Sequence, residues 1–129
     1  MSQRTTASYT YPARTAAGVD KTLYLPDFSN IEFSVSAVGS ADQVVKFAAS
    51  NQEAQPDFAS AQSATNRWDY VQVIDKQSGS AINGDTGVTF AGADVRNFEV
   101  NDNASTWVGM VVISGTTGSV SASVLCTSK

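Results

Sequence analysis

The sequence predicts an all-β domain: an antiparallel β-sandwich, jelly-roll-like, of about eight strands with an extended N-terminal arm. Three observations predict it. Short stretches alternate apolar and polar residues with a period of two, the mark of a strand with one buried face. Turn signals rich in Gly, Asn and Asp separate these stretches at roughly 8–20-residue spacing, as in sandwiches and barrels. No segment carries a sustained helical stripe.

The elements follow in order. Residues 1–21 are rich in Thr, Ala, Ser and Tyr and show neither clean periodicity. They read as an arm that is ordered where something covers it, or as a frayed terminus or first edge strand. Residues 22–129 form the sandwich domain. Thr22–Leu25 is a short strand stopped by Pro26. In Ile31–Ala37, Ile31, Phe33, Val35 and Ala37 alternate with Glu32, Ser34 and Ser36. Val45–Ala49 repeats the pattern. Tyr70–Ile74, Val88–Phe90 and Arg96–Val100 continue it. Thr106–Ile113 is apolar on both parities, which suits a strand covered on both faces or one buried at a subunit contact. Val120–Leu125 is the last strand, and Gly115-Thr116-Thr117-Gly118 is predicted to join it to its predecessor as a hairpin. Pro56–Ala64 is the best helix candidate, with a turn or two at most.

At 129 residues the chain has the size of one domain, and folding buries about two-thirds of the surface of a chain this long, enough for a core without disulfides. The composition excludes several functions. There is no His, so no His base, triad or metal ligand is possible. A single Cys, Cys126, allows neither an internal disulfide nor a zinc cluster. A net charge of −4 is the opposite of a nucleic-acid footprint. No apolar run approaches the roughly 18 residues that span a bilayer. No leader-like apolar segment opens the sequence, so a protein made and used in a cytosol, or released from one without secretion, is expected. The charge is also uneven. Residues 1–21 carry Arg4, Arg14 and Lys21 against Asp20, a balance of +2, and the rest carries −6.

The candidate chemistry is sparse. Asp69, Asp75, Asp85, Asp94 and Asp102 are the acids available to a glycosidase, which needs two facing carboxyls at a defined separation. They fall at strand ends and turns, where Asp binds local backbone amides. Asn83–Gly87 and Asn101-Asp102-Asn103 offer oxygens to Ca²⁺ but lack a calcium-loop spacing. Phe58, Trp68 and Tyr70 suit either a sugar-stacking platform or a lid that closes the sandwich. Phe33, Phe47 and Phe98 lie on inward phases and belong to the core. Cys126 lies on an inward phase too, as a small buried hydrophobe. No cofactor and no metal are required. Tyr9 and Tyr11, two aromatics in a stretch with no core of its own, need another surface to cover them.

The segment Phe47–Phe58, a strand ending in Ser50-Asn51 with a polar turn and then an aromatic, resembles small β-sandwich virion proteins of tailed bacteriophages. Gln52-Glu53 stands where those proteins often have Asp-Gly, and Phe58 comes later than their aromatic. Asn66–Val73, Asp85-Thr86-Gly87, Val95–Asn101 and Trp107-Val108 extend the likeness over residues 30–125. The resemblance implies a structural, non-enzymatic role of the head decoration (cement) type, with a carbohydrate-binding module of a tail or fibre, or a tail or neck component, as alternatives. It implies a virion protein assembled in the host cytoplasm. Its expected partners are the major capsid protein or another virion protein, and copies of itself, as a trimer. The expected interface is Tyr9, Tyr11 and Arg14 of the arm, and Val108, Met110 and Val112 of the doubly apolar strand. On this reading, Ala at Tyr9 and Tyr11 leaves the body folded and weakens attachment to the capsid.

Overall fold

The computed structural model describes residues 5–100 and 105–128. Arg4 and the Asn101-Asp102-Asn103 cluster therefore lie outside the described residues. The described residues form eleven strands: β1 (Thr6–Arg14), β2 (Leu23–Tyr24), β3 (Phe28–Val38), β4 (Val44–Ser50), β5 (Asp69–Tyr70), β6 (Val73–Asp75), β7 (Ala81–Ile82), β8 (Val88–Thr89), β9 (Asp94–Val100), β10 (Trp107–Ser114) and β11 (Ser119–Ser128). They form a sandwich of two sheets. The large sheet has six strands in the order β1-β11-β3-β9-β6-β7, and the small sheet has the order β2-β10-β4-β5, with β8 also paired to β4. Every pairing between these strands is antiparallel.

The alternating residues point where the pattern requires. Ile31, Phe33, Val35 and Ala37 of β3 are buried, as are Val120, Ala122, Val124 and Cys126 of β11. They face Val45 and Phe47 of β4 and Val108, Met110 and Val112 of β10 in one core cluster. A file of rings crosses between the sheets: Tyr11 to Phe33 at 6.1 Å, Phe33 to Phe47 at 4.8 Å, and Phe47 to Phe98 at 5.6 Å. Tilted aromatic contacts of this kind add to the stabilisation from area burial alone.

The structure decides one open expectation and corrects two. Of the readings of the N-terminal stretch, the first edge strand holds, and the arm is not separate from the sandwich. Thr6–Arg14 is an edge strand of the large sheet, registered on β11 from Thr6↔Thr127 to Arg14↔Val120 with a bulge between Tyr11 and Arg14. Only Tyr11 along it is fully buried, which is why it carries no clean strand periodicity. Tyr70–Ile74 is not one strand. Asp69–Tyr70 pairs with β4 in the small sheet, and Val73–Asp75 pairs with β9 in the large one, so the chain crosses the sandwich at Val71-Gln72. Gly115–Gly118 is not a hairpin, because β10 and β11 lie in opposite sheets.

That crossover is held by the neighbouring crossover between β3 and β4. Asp42 accepts hydrogen bonds from the amides of Thr116 (2.9 Å) and Thr117 (3.1 Å), and Thr117 Oγ1 donates to the Ser40 carbonyl at 2.6 Å. Gly118 has φ +64°, and a Cβ there would meet the Ala41 nitrogen and the Val38 oxygen at 2.6 Å. Glycine alone fits that backbone and that gap. Pro56–Ala64 is irregular, with a turn at Asp57, whose carboxylate accepts from the Ala59 amide at 2.9 Å and the Ser60 hydroxyl at 2.7 Å.

Candidate interaction surface

The six expected interface residues are mostly inside the molecule. Val108, Met110 and Val112 face the core, so β10 takes the first of its two readings, a strand covered on both faces. Tyr11 is fully buried. Its hydroxyl donates to the Lys21 carbonyl at 2.8 Å and accepts from the Met110 amide at 3.4 Å. On that edge of β10, Val112 pairs with Gly18 and Val108 with Leu23. The Tyr11 hydroxyl fills the interval between them, so a side chain of the large sheet completes the backbone ladder of the small one. Burial, the largest influence, pushes its ionisation far above the ordinary tyrosine range. Arg14 also works within the chain. Its Nε and Nη2 reach the Asp20 carboxylate at 3.1 and 2.9 Å, and Nη1 reaches the Ala17 carbonyl at 3.1 Å. Tyr9 is half-buried and packs on the core.

The outer face of the small sheet is covered by the chain itself. Ala48, Phe58 and Val111 form a second cluster, flanked by Val19, Trp68, Tyr70, Trp107 and Ile113. Phe58 meets Trp68 at 69°, and Trp68 meets Tyr70 at 80°. Edge-on rings offer no common plane for a sugar, and Trp68 Nε1 is already donating to the Ser60 carbonyl at 3.2 Å. The lid reading of these aromatics therefore holds. Gly109 permits it, since a Cβ there would stand 3.0 Å from the Phe58 ring. Shallow grooves of about 380 and 330 Å³ run between this lid and residues 17–22.

The acids are engaged in local structure. Asp69 and Asp94 accept from the next residue's amide, at 2.8 and 2.9 Å. Asn83 Oδ1 takes the Asp85 amide at 2.8 Å, a turn rather than a calcium loop. Burial opposes the charge on Asp75, but hydrogen bonds from Arg96 and the Gln77 amide hold it below the ordinary carboxylate range. Asp42 is lowered by its hydrogen bonds from Thr116 and Thr117. Among the described residues, no three His, Cys, Asp or Glu side chains gather as a metal site would need. Cys126 is free and buried, and desolvation pushes its thiol up to about 11.

The remaining surface is the outer face of the large sheet, which sequence reasoning passed over. Its middle is Ser and Thr: Ser34 lies opposite Ser123, Ser36 opposite Ser121, and Thr10 opposite Ser123. Asn97 and Val95 flank Ser34 and Ser36 on β9. Among the described residues, three of the four exposed large apolar side chains stand on this face: Val38, Val95 and Leu125, each at least half exposed (51, 65 and 50%). Among the described residues, its charges are confined to one end, where Glu32 lies opposite Glu99 and binds Lys76 at 3.1 Å. The signal was present in the alternation itself, whose outward phase is hydroxyl rather than charged.

No family model matches the chain, and no curated protein sequence matches it. Solved structures share its fold. The SPBc2 prophage-derived protein YomS superposes with a TM-score of 0.68 at 18% identity, covering 99% of this chain and 97% of that one. The PBSX exported protein XepA gives a TM-score of 0.73 at 14% identity and also covers 99% of this chain. The present chain spans only 39% of the XepA chain.

Proposed function

We propose that the chain is a non-enzymatic structural protein of a bacteriophage, acting by adhesion, and that its place is the outside of the head as a decoration protein. The observation that carries this reading is the end-to-end fold match to a prophage-derived chain of almost the same extent. The state of the acids supports it, since Asp42, Asp57, Asp69, Asp75 and Asp94 are each committed to a turn, a crossover or an ion pair. The adhesive surface in this reading is not the expected arm, whose tyrosine Tyr11 is in the core, but the uncharged outer face of the large sheet. Its partners are the capsid protein and further copies of the chain. Many weak contacts repeated around a shell raise the free energy needed to displace any one subunit.

The test is made on particles. The protein should co-purify with intact heads, and heads lacking it should rupture at lower temperature and regain resistance when the purified protein is added. Equal rupture temperatures with and without it would remove the decoration reading. A second reading is favoured by the likeness to XepA, which carries the name of an exported protein. On that reading the chain works free of the particle, and at lysis it is found in the particle-free supernatant.

A further inference from the structure

We propose that the outer face of the large sheet is where a second copy of this chain packs, as a two-fold contact of the face with itself. The inference rests on the self-association in the reading above and names its surface.

Charge selects the occupant. Each copy carries −4, so two copies repel wherever their acidic surfaces meet. An isologous contact sets a patch against its own image, and a charged patch would then meet its own sign. The middle of this face, with Ser34, Ser36, Ser121 and Ser123, carries no charge. Serine hydroxyls donate and accept equally, so the same residue can serve on both sides of a two-fold axis. Val38, Val95 and Leu125 supply apolar area that is exposed in the single chain.

Charge also selects the axis. Glu32 and Glu99 are together at one end of the face, while Val38 and Ser119 are at the other. A two-fold axis in the plane of contact and across the strands brings the acidic end of one copy onto the uncharged end of the other. An axis along the strands would set four carboxylates together with only the two Lys76 ammoniums to offset them. The size lies at the lower bound for a specific contact. Four strands about 4.8 Å apart, with outward residues about 6.8 Å apart along each, give roughly 450–500 Å² per copy. The pair buries close to the roughly 1,000 Å² that marks a specific contact.

The test is the solution mass of the full chain by light scattering after size exclusion, for the wild type and three variants. Ser36→Glu with Val95→Glu, and separately Ser123→Glu, place new carboxylates on the face. Thr65→Glu places one in the connection between β4 and β5. All are checked for native circular dichroism. The expected result is an even number of chains for the wild type and Thr65→Glu, and half that mass for both face variants. An even mass that the face variants leave unchanged overturns this surface and spares self-association. A closed assembly with an odd number of chains overturns the two-fold contact alone. A wild-type monomer at every concentration overturns both.

Discussion

Tyr11 shows how much one hydroxyl can do in a small sandwich. It is anchored in the large sheet, yet it supplies an acceptor to the Met110 amide and a donor to the Lys21 carbonyl beside the small one. Tyr11→Phe keeps the ring and leaves both backbone groups short of a partner, at a cost of about 1–2 kcal/mol. Tyr11→Ala empties the core and costs about 3–5 kcal/mol, as for other large-to-small aromatic changes. Urea unfolding of the two variants measures both. The expected loss reverses the expectation that Ala at this position spares the body. Cys126 gives a pH prediction. Its folded thiol is held up to about 11 from an ordinary 9.0. Between those values the folded state keeps a proton that the unfolded state releases, so stability is full below about pH 9 and falls as pH rises toward 11. In Cys126→Ala the slope of unfolding free energy against pH should be shallower over that window.

Among the elements, β10 and the connection from β4 to β5 depend on each other. β10 is apolar on both parities because Val108, Met110 and Val112 meet the core while Val111 meets Phe58. Phe58→Ala strips that lid and costs about 3 kcal/mol, near the low end for a buried aromatic. Trp68, which touches Phe58 at 5.6 Å, should then emit at longer wavelength in a folded protein. An unchanged spectrum would mean that the lid does not rest on Phe58. The crossover between β10 and β11 rests on Asp42. Its carboxylate is lowered by the Thr116 and Thr117 hydrogen bonds, so its contribution is present above the ordinary carboxylate pKa and is lost as pH falls through the lowered folded value.

For the whole molecule, the division into arm and body decides a deletion. An independent body survives removal of residues 1–14. In this fold that removal exposes the edge of β11 along its register with β1 and takes Tyr11 from the core. The truncated chain should lose its cooperative thermal transition or aggregate through the bare edge, as uncovered strand edges do. A native-like transition would restore the arm reading. Much of the fold was legible because period two and turn residues act locally. Ile31–Ala37 and Val120–Leu125 could be placed, face by face, from their own residues. β1 was not, since Tyr11 is its only fully buried residue. Ala81–Ile82 was not, because two residues carry no period. The candidate surface was missed for a different reason: its Ser and Thr residues are ordinary outward positions in each strand and become a surface only when β1, β11, β3 and β9 lie side by side.

By itself, the sequence determined the all-β class, the inward face of the longer strands, the burial of Phe33, Phe47, Phe98 and Cys126, and the absence of any His chemistry. These follow from side-chain type and from neighbours a few residues apart. The tertiary structure decided which sheet each strand joins, that Tyr11 completes the ladder of β10, and that Gly115–Gly118 crosses between sheets rather than turning within one. Those outcomes depend on contacts such as Tyr11 with Met110 and Asp42 with Thr116, between residues 99 and 74 positions apart. Long-range pairing is chosen by the packing of the whole core, and no local pattern encodes it.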